Sequence, residues 1–310
     1  MSAIITGAAA PTTTATRRPR GGLFRAIMRN RKAMLGAGLL VLFVLLAAFP
    51  QLFVPGAHHD PQAIGDLPLQ QPSSQHWLGT TGLGQDVYAQ LIYSTRESLL
   101  IAVIAGAGAT ILSVLIGVSA AYLGGYADDG LSMLTDVFLV LPAFPLIIVL
   151  ATYAGKGNLT VIIVVLILTG WSYGARQMRA QALSLRNRDF LESARVRGER
   201  SSYIIVVEVL PTMTSLIVAN FLGAALYSVL SAAGLQFLGL GDPNSLSWGT
   251  MLYWAQNQGA LVNGLPAWAL SPGLAVALLG VSFALLNYAF DEISNPALRP
   301  VRRRRARSAS

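Results

Sequence analysis

Residues 176–200 read RQMRAQALSLRNRDFLESARVRGER, and the apolar run YIIVVEVLP follows at 203–211. Seven arginines stand in the basic stretch against Asp189, Glu192 and Glu199. On its other side residues 157–175, GNLTVIIVVLILTGWSYGA, carry no charge. Each arginine at mid-bilayer costs about 3 kcal/mol even on the mildest insertion scale. So basic a stretch belongs in water, as a loop joining two spans.

The same alternation runs through the whole chain. Apolar residues make up 54% of the 310 and charged ones 12%, with a mean hydropathy of +0.56, where soluble domains are about a quarter charged. Charge-free windows cover 33–57, 98–127, 137–155, 157–175 and 209–241. The window 243–290 is also uncharged, but its first half, NSLSWGTMLYWAQNQG, is polar and aromatic, which places the last span at 268–290. About 20 apolar residues cross a bilayer as a helix, and backbone in hydrocarbon must be bonded within its own segment. No alternating ten-residue pattern suggests a barrel. The fold expected is an all-α membrane protein of six transmembrane helices, the first of them uncleaved rather than a signal peptide.

Charge placement sets the orientation. Arg17, Arg18, Arg20, Arg25, Arg29, Arg31 and Lys32 precede the first span, seven arginines fill the central loop, and Arg299, Arg302, Arg303, Arg304, Arg305 and Arg307 follow the last span. Only Arg96 and Lys156 fall on the other side, so both termini are expected in the cytoplasm. The organisation read from this is a basic tail over 1–32, a first helix over 33–54 and an external segment over 55–97. A five-helix membrane domain over 98–292 contains the loop 176–204 and an external segment 235–267, and a second basic tail covers 293–310. The GGYADDG stretch (124–130) reads as a short inner loop. Trp77, Trp248, Trp254 and Trp268 suit an outer headgroup belt, and the tails touch membrane lipid. Basic residues gathered beside spans, rather than along one face of a domain, argue against nucleic acid.

Chemistry has little to work with. Asp136, Glu208, Asp291 and Glu292 all lie near inner span ends, where a charge reaches water or pairs with a loop arginine. A proton-coupled carrier working alone would want such groups at mid-membrane. His58, His59 and His76, with Asp60, form an incomplete metal set on an external loop. No span contains a histidine, so an intramembrane serine protease is not indicated. Gly155-Lys156-Gly157 lacks the rest of a phosphate-binding loop. With no cysteine, thiolate chemistry is excluded. Neither a catalytic site nor a metal or cofactor site is expected on this chain.

The loop itself predicts a short helix over RNRDFLESARVRG, with Asn187 or Asp189 as cap, Glu192 in an early turn and Gly198 as a left-handed terminator. Phe190, Ala194 and Arg197 share a face, bordered by Leu191 and Ser193. Such a helix enters a groove on a soluble partner, or lies on lipid. Pro211 should kink the helix entering the fifth span. Gly106, Gly108 and Gly117 read as helix contacts rather than pore lining.

ESARVRG followed by YIIVVEVLP resembles the EAA motif of ABC-importer permeases, on Glu192, Ser193, Ala194, Gly198, Leu210 and Pro211. WLGTTGLGQDVYAQLIYSTRESL, AAYLGGYADDGLSMLTDVFLVLPAFPLIIV, GLQFLGLGDPNSLSWGTML and AWALSPGLAVALLGVSFALLNYAFDEISNP are similar, in order, to segments of the dipeptide, oligopeptide and nickel permeases. The likeness covers about residues 22–298, and the basic N-terminal helix with the first span suits the second permease of a pair. Ser193 departs from the usual alanine, and Glu208 stands where the motif has an apolar residue. The resemblance implies an ABC type I importer permease fold in the cytoplasmic membrane. It implies a coupling loop of Asp189, Glu192, Ser193, Ala194, Arg195, Gly198, Leu210 and Pro211. Partners would be a second homologous permease, two cytoplasmic ATPase subunits that bind ATP and Mg, and an extracytoplasmic substrate-binding protein. The expected cargo is di- or oligopeptide, with nickel or another small solute as the alternative.

Overall fold

Apolar windows of this length satisfy their backbone only as helices, and each is helical in the computed structural model, which describes residues 30–56, 59–154, 157–186 and 188–294. The tail arginines before Asn30 and after Ser294, together with His58, Lys156 and Asn187, lie outside the described residues. Among those described there is no strand, only an isolated bridge between Thr80 and Asp86.

Helix α1 (Arg31–Ala48) starts where the Asn30 side chain accepts from the Lys32 amide, and Pro50 then opens the single turn α2 (Pro50–Phe53). Helix α3 (Val87–Leu123) begins well before the expected Ser98, because the Asp86 carboxylate caps it at the Ala89 amide, 2.7 Å away. At 37 residues it is about 55 Å long, against roughly 30 Å of hydrocarbon, so an untilted α3 extends past the bilayer. It ends at Gly124 and Gly125, with φ of 66° and 55°. The expected inner loop is only this two-glycine turn, and Asp128 and Asp129 already belong to α4 (Gly125–Val140).

The third window is not a straight span. Helix α4 meets α5 (Ala143–Ala154) at a bend of 92° around Leu141 and Pro142. The fourth is bent by 41° between α6 (Leu159–Gly170) and α7 (Ser172–Arg186). Residues 176–186 of the basic stretch therefore continue this helix instead of forming a loop. After α8 (Asp189–Val196), helix α9 (Ser201–Thr212) contains a π-helical stretch, Ile204–Val209, and a break at Met213 leads into α10 (Thr214–Phe237). The distortion expected of Pro211 takes this form. Helix α11 (Trp248–Asn257) is held by a capping box of Ser247 and Thr250, and α12 (Pro266–Ser294) is the last helix among the described residues. Four of these helices are long and apolar enough to cross a membrane singly, and up to six spans result if each bent pair is one.

Helix α3 is the axis, packed against α10, α7, α1 and α6. Glycine makes this closeness possible: a Cβ on Gly106 would stand 2.8 Å from the Ala225 Cα, and one on Gly117 2.3 Å from the Ala175 carbonyl oxygen. Gly108 faces the Ile167 side chain in the same way. All three are helix contacts, as small residues at membrane helix crossings tend to be.

Around the N-terminal end of α3, Phe43, Val87, Leu99, Trp248, Trp268 and Phe283 share one apolar core. Trp248 and Trp268 are fully buried there, not in a headgroup belt. The Trp248 indole donates to the Leu91 carbonyl at 3.2 Å, and the Phe43 ring meets it edge-on at 5.5 Å. Trp77 alone of the four is largely exposed, and Trp254 is partly covered. The two described histidines make separate contacts. His76 is buried with Nδ1 2.8 Å from Asp86 Oδ2 and Nε2 3.6 Å from Asp66, tying the segment before α3 to its cap, while His59 reaches the Val54 carbonyl.

Candidate functional site

The basic stretch folds as two unequal parts. Arginines 176, 179 and 186 ride on α7 and tie it to α3 and α4. Arg179 donates twice to Asp128, at 2.6 and 2.7 Å, in the fork geometry that suits a carboxylate. Arg176 pairs with the exposed Asp136, and Arg186 reaches the Ala121 carbonyl at 3.4 Å. Asp136 thus pairs with an arginine of the basic stretch, though one carried on a helix rather than on a loop.

Helix α8 is the second part. Its N-cap position is Arg188, with no side-chain cap bond, so Asp189 serves in the first turn rather than as the cap. Asp189 and Glu192 near the start and Arg195 near the end agree with the helix dipole. At the C-terminus Gly198 takes φ of +78°, its amide bonds the Arg195 carbonyl, and the Glu199 amide bonds that of Ala194. This paired closure is the Schellman motif, which needs a left-handed residue at that point.

The buried face of α8 is Leu191 and Ala194, at 1% and 0% exposure. They enter a cluster with Val118 and Ala121 of α3, Met178 and Ala182 of α7, and Ile204, Val209 and Met213 around α9. Ala194 therefore lies where the periodicity put it, but Phe190 and Arg197 do not accompany it. Both point outward, with Asp189, Glu192, Ser193, Arg195 and Val196. Ser193 turns its hydroxyl back to the Asp189 carbonyl at 2.8 Å, a bond that alanine would lack. The Arg195 guanidinium stands 5.7 Å from the Tyr122 ring centre. Arg197 bonds Glu199 at 3.1 Å and approaches Glu208 to 4.0 Å, giving that departure from the motif a neighbour of opposite charge. Leu210 packs against the cluster and Pro211 is exposed. The side chains of Asp291 and Glu292 lie outside the described residues.

The arrangement holds a small helix rigidly at the meeting point of three longer ones and leaves a charged, partly apolar face open. It offers no nucleophile and base to each other, and among the described residues no three metal-ligating side chains converge. Two other places escape a charge count along the chain. Glu97, on α3, accepts from the buried Gln236 at 3.4 Å and lines a pocket of about 350 Å³ with Asn158, Asp242 and Ser245. Asn220 and Tyr227 of α10 line a second, larger cavity. In the sequence Glu97 stands beside Arg96 at the edge of an apolar window, and Asn220 and Tyr227 are uncharged polar residues within one.

Comparison with known proteins agrees with this geometry. A family model described as "Binding-protein-dependent transport system inner membrane component" matches residues 113–299. The oligopeptide transport system permease protein OppC of Mycobacterium bovis is 33% identical, over 90% of this chain and 95% of its own length. The glutathione transport system permease protein GsiD of Pectobacterium atrosepticum is 31% identical, over 91% and 93%. The dipeptide transport system permease protein DppC of Alkalihalophilus pseudofirmus is 28% identical, over 89% of each. The match spans α7, α8 and α9. The chain belongs to the family of binding-protein-dependent transport system inner-membrane components, as a multi-pass membrane permease.

Proposed function

We propose that this chain is one of two permease subunits of an ATP-driven peptide importer, with α8 as the contact through which cytoplasmic ATPases move the membrane helices. The observation that carries this reading is the division of α8 into a buried face of Leu191 and Ala194 and an open face of Asp189, Glu192, Ser193 and Arg195. A helix lying on lipid would direct its apolar face outward, whereas this one spends that face on α3, α7 and α9. Its free face is then available to a groove on a protein. Peptide cargo is supported by the relatives, named for oligopeptide, dipeptide and glutathione transport.

In this reading each bent pair counts as one span, giving six, with both termini and α8 on the cytoplasmic side by the positive-inside rule. An external binding protein delivers peptide to the outer surface formed by residues 59–86 and α11. Closure of two ATPases pulls α8, and the shared cluster passes the displacement to α3, α7 and α9 together.

Uptake of a labelled dipeptide by proteoliposomes holding the whole complex tests the proposal. Omitting the ATPase subunits should abolish uptake, and unchanged uptake would leave a stand-alone carrier. Gly198→Pro and Glu192→Arg should each abolish uptake while the chain stays in the membrane at its normal level. Wild-type transport by both variants would remove the coupling role.

A further inference from the structure

The bend between α4 and α5 stands beside a cavity of about 540 Å³, within the range of roughly 300–1,000 Å³ typical of small-ligand sites. Its wall takes Phe138, Leu141 and Ala143 from the bend, Asn220 and Tyr227 from α10, and Asn287 from α12. Pro142 and Pro145 have no N–H, so the carbonyls of Phe138 and Leu141 lose the helical donors four residues on. Unwound backbone at membrane depth persists only where protein buries it or where it lines a wet cavity.

The side chains tell the same story independently. Asn220 Oδ1 and Tyr227 Oη are shielded by the chain yet have no hydrogen-bond partner among the described residues. Gly174 makes room for the Asn220 amide, since a Cβ there would come within 2.3 Å of its Nδ2. The two residues lie six and thirteen positions into α10, about 9 and 20 Å along it at 1.5 Å per residue. They therefore sit well inside a hydrocarbon layer about 30 Å thick. None of the described lining residues is charged.

Neutral amides and a phenol can both donate to C=O groups and accept from N–H groups, and without a charge they do not select among side chains. A divalent cation would find neither counter-charge nor thiolate or imidazole here. We propose that this cavity is the membrane-depth station of the transported peptide, binding its main chain through Asn220, Tyr227 and Asn287. The inference rests on the importer reading and names the path residues within it.

The chain contains no cysteine, which makes single-cysteine labelling a clean test in the assembled complex. Ala219→Cys and Ala224→Cys, at the cavity wall, should react with a hydrophilic methanethiosulfonate, and saturating trialanine should slow the reaction severalfold. Leu278→Cys, exposed on the side of α12 opposite Asn287, should not react. Tyr227→Phe should lower trialanine uptake severalfold, the loss of about one hydrogen bond, while binding-protein-stimulated ATP hydrolysis persists. Cysteines at the wall that stay unreactive, or react unaffected by trialanine in a complex that does take up trialanine, overturn the inference alone. A wild-type complex that takes up no peptide overturns the importer reading as well.

Discussion

At Gly198 the backbone turns to φ of +78°, with no atom within 4 Å of the place a Cβ would occupy. At Gly117 the helix is regular and the space is missing, since a Cβ would stand 2.3 Å from the Ala175 carbonyl and 2.9 Å from the Met178 Cβ. The two positions should therefore answer substitution differently. Gly198→Ala should cost about 1–2 kcal/mol, the left-handed penalty, with Gly198→Asn milder because asparagine tolerates that region. Gly117→Ala should cost about 1–3 kcal/mol through overpacking of α3 on α7, and asparagine there should be worse still. Thermal unfolding of the solubilised complex measures both, and an asparagine rescue at Gly117 would sink the distinction. Gly198 could be read from sequence because a helix terminator acts on its own chain neighbours. Gly117 could be assigned to packing only in kind, its partner on α7 being set by tertiary structure. Glu97, Asn220 and Tyr227 were opaque: Glu97 stands beside Arg96 at a window's edge, and an uncharged polar residue inside a window reads alike whether it faces a cavity, a neighbour or water.

Helix α8 shows what an element owes to its two faces. Leu191→Ala would open a hole between α3, α7 and α9, at a cost of about 2–5 kcal/mol for a buried leucine, and amide exchange across residues 189–198 should quicken. Phe190→Ala, on the open face, should leave exchange unchanged and lower the yield of ATPase recovered with the chain. Faster exchange in the second variant and not the first would reverse the assigned faces. Helix α7 is fixed by the fork between Arg179 and Asp128. Arg179→Lys keeps the charge and loses one of the two parallel bonds, so it should loosen the inner end of α7 nearly as much as Arg179→Gln. Equal protection of α7 amides in wild type and Arg179→Lys would show that the fork geometry is immaterial. The helical class, the apolar windows and the existence of α8 were all legible, because hydropathy and caps act locally. The 92° bend and the run of α7 through the arginines were not. Hydropathy records depth but not direction, and charge does not stop a helix that has no terminator before Arg186.

Across the whole molecule, α3 is the member that touches both working ends. Its C-terminal end carries Val118 and Ala121 in the cluster that receives α8, and its N-terminal end carries Val87, Leu91 and Ser98 against Trp248 and the core around it. In the proposed importer, a stiff rod between them would transmit delivery by a binding protein outside to the ATPases inside, and the reverse, as one displacement. Stiffness can be lowered without touching any packed contact, because Ile111 and Leu115 lie on the exposed face at 58% and 57% exposure. Glycine at each place removes about 1 kcal/mol of helix preference and no buried side chain. In the double variant Ile111→Gly/Leu115→Gly, assembly and basal ATP hydrolysis should match wild type, while stimulation of hydrolysis by the loaded binding protein should fall severalfold. The alanine pair Ile111→Ala/Leu115→Ala shortens the same side chains without softening the helix, so it should retain full stimulation. If both pairs lose stimulation equally, the effect belongs to lost lipid contact and the two ends communicate by another route. If neither does, α3 moves with its neighbours as a block, and its own rigidity is not what carries the signal.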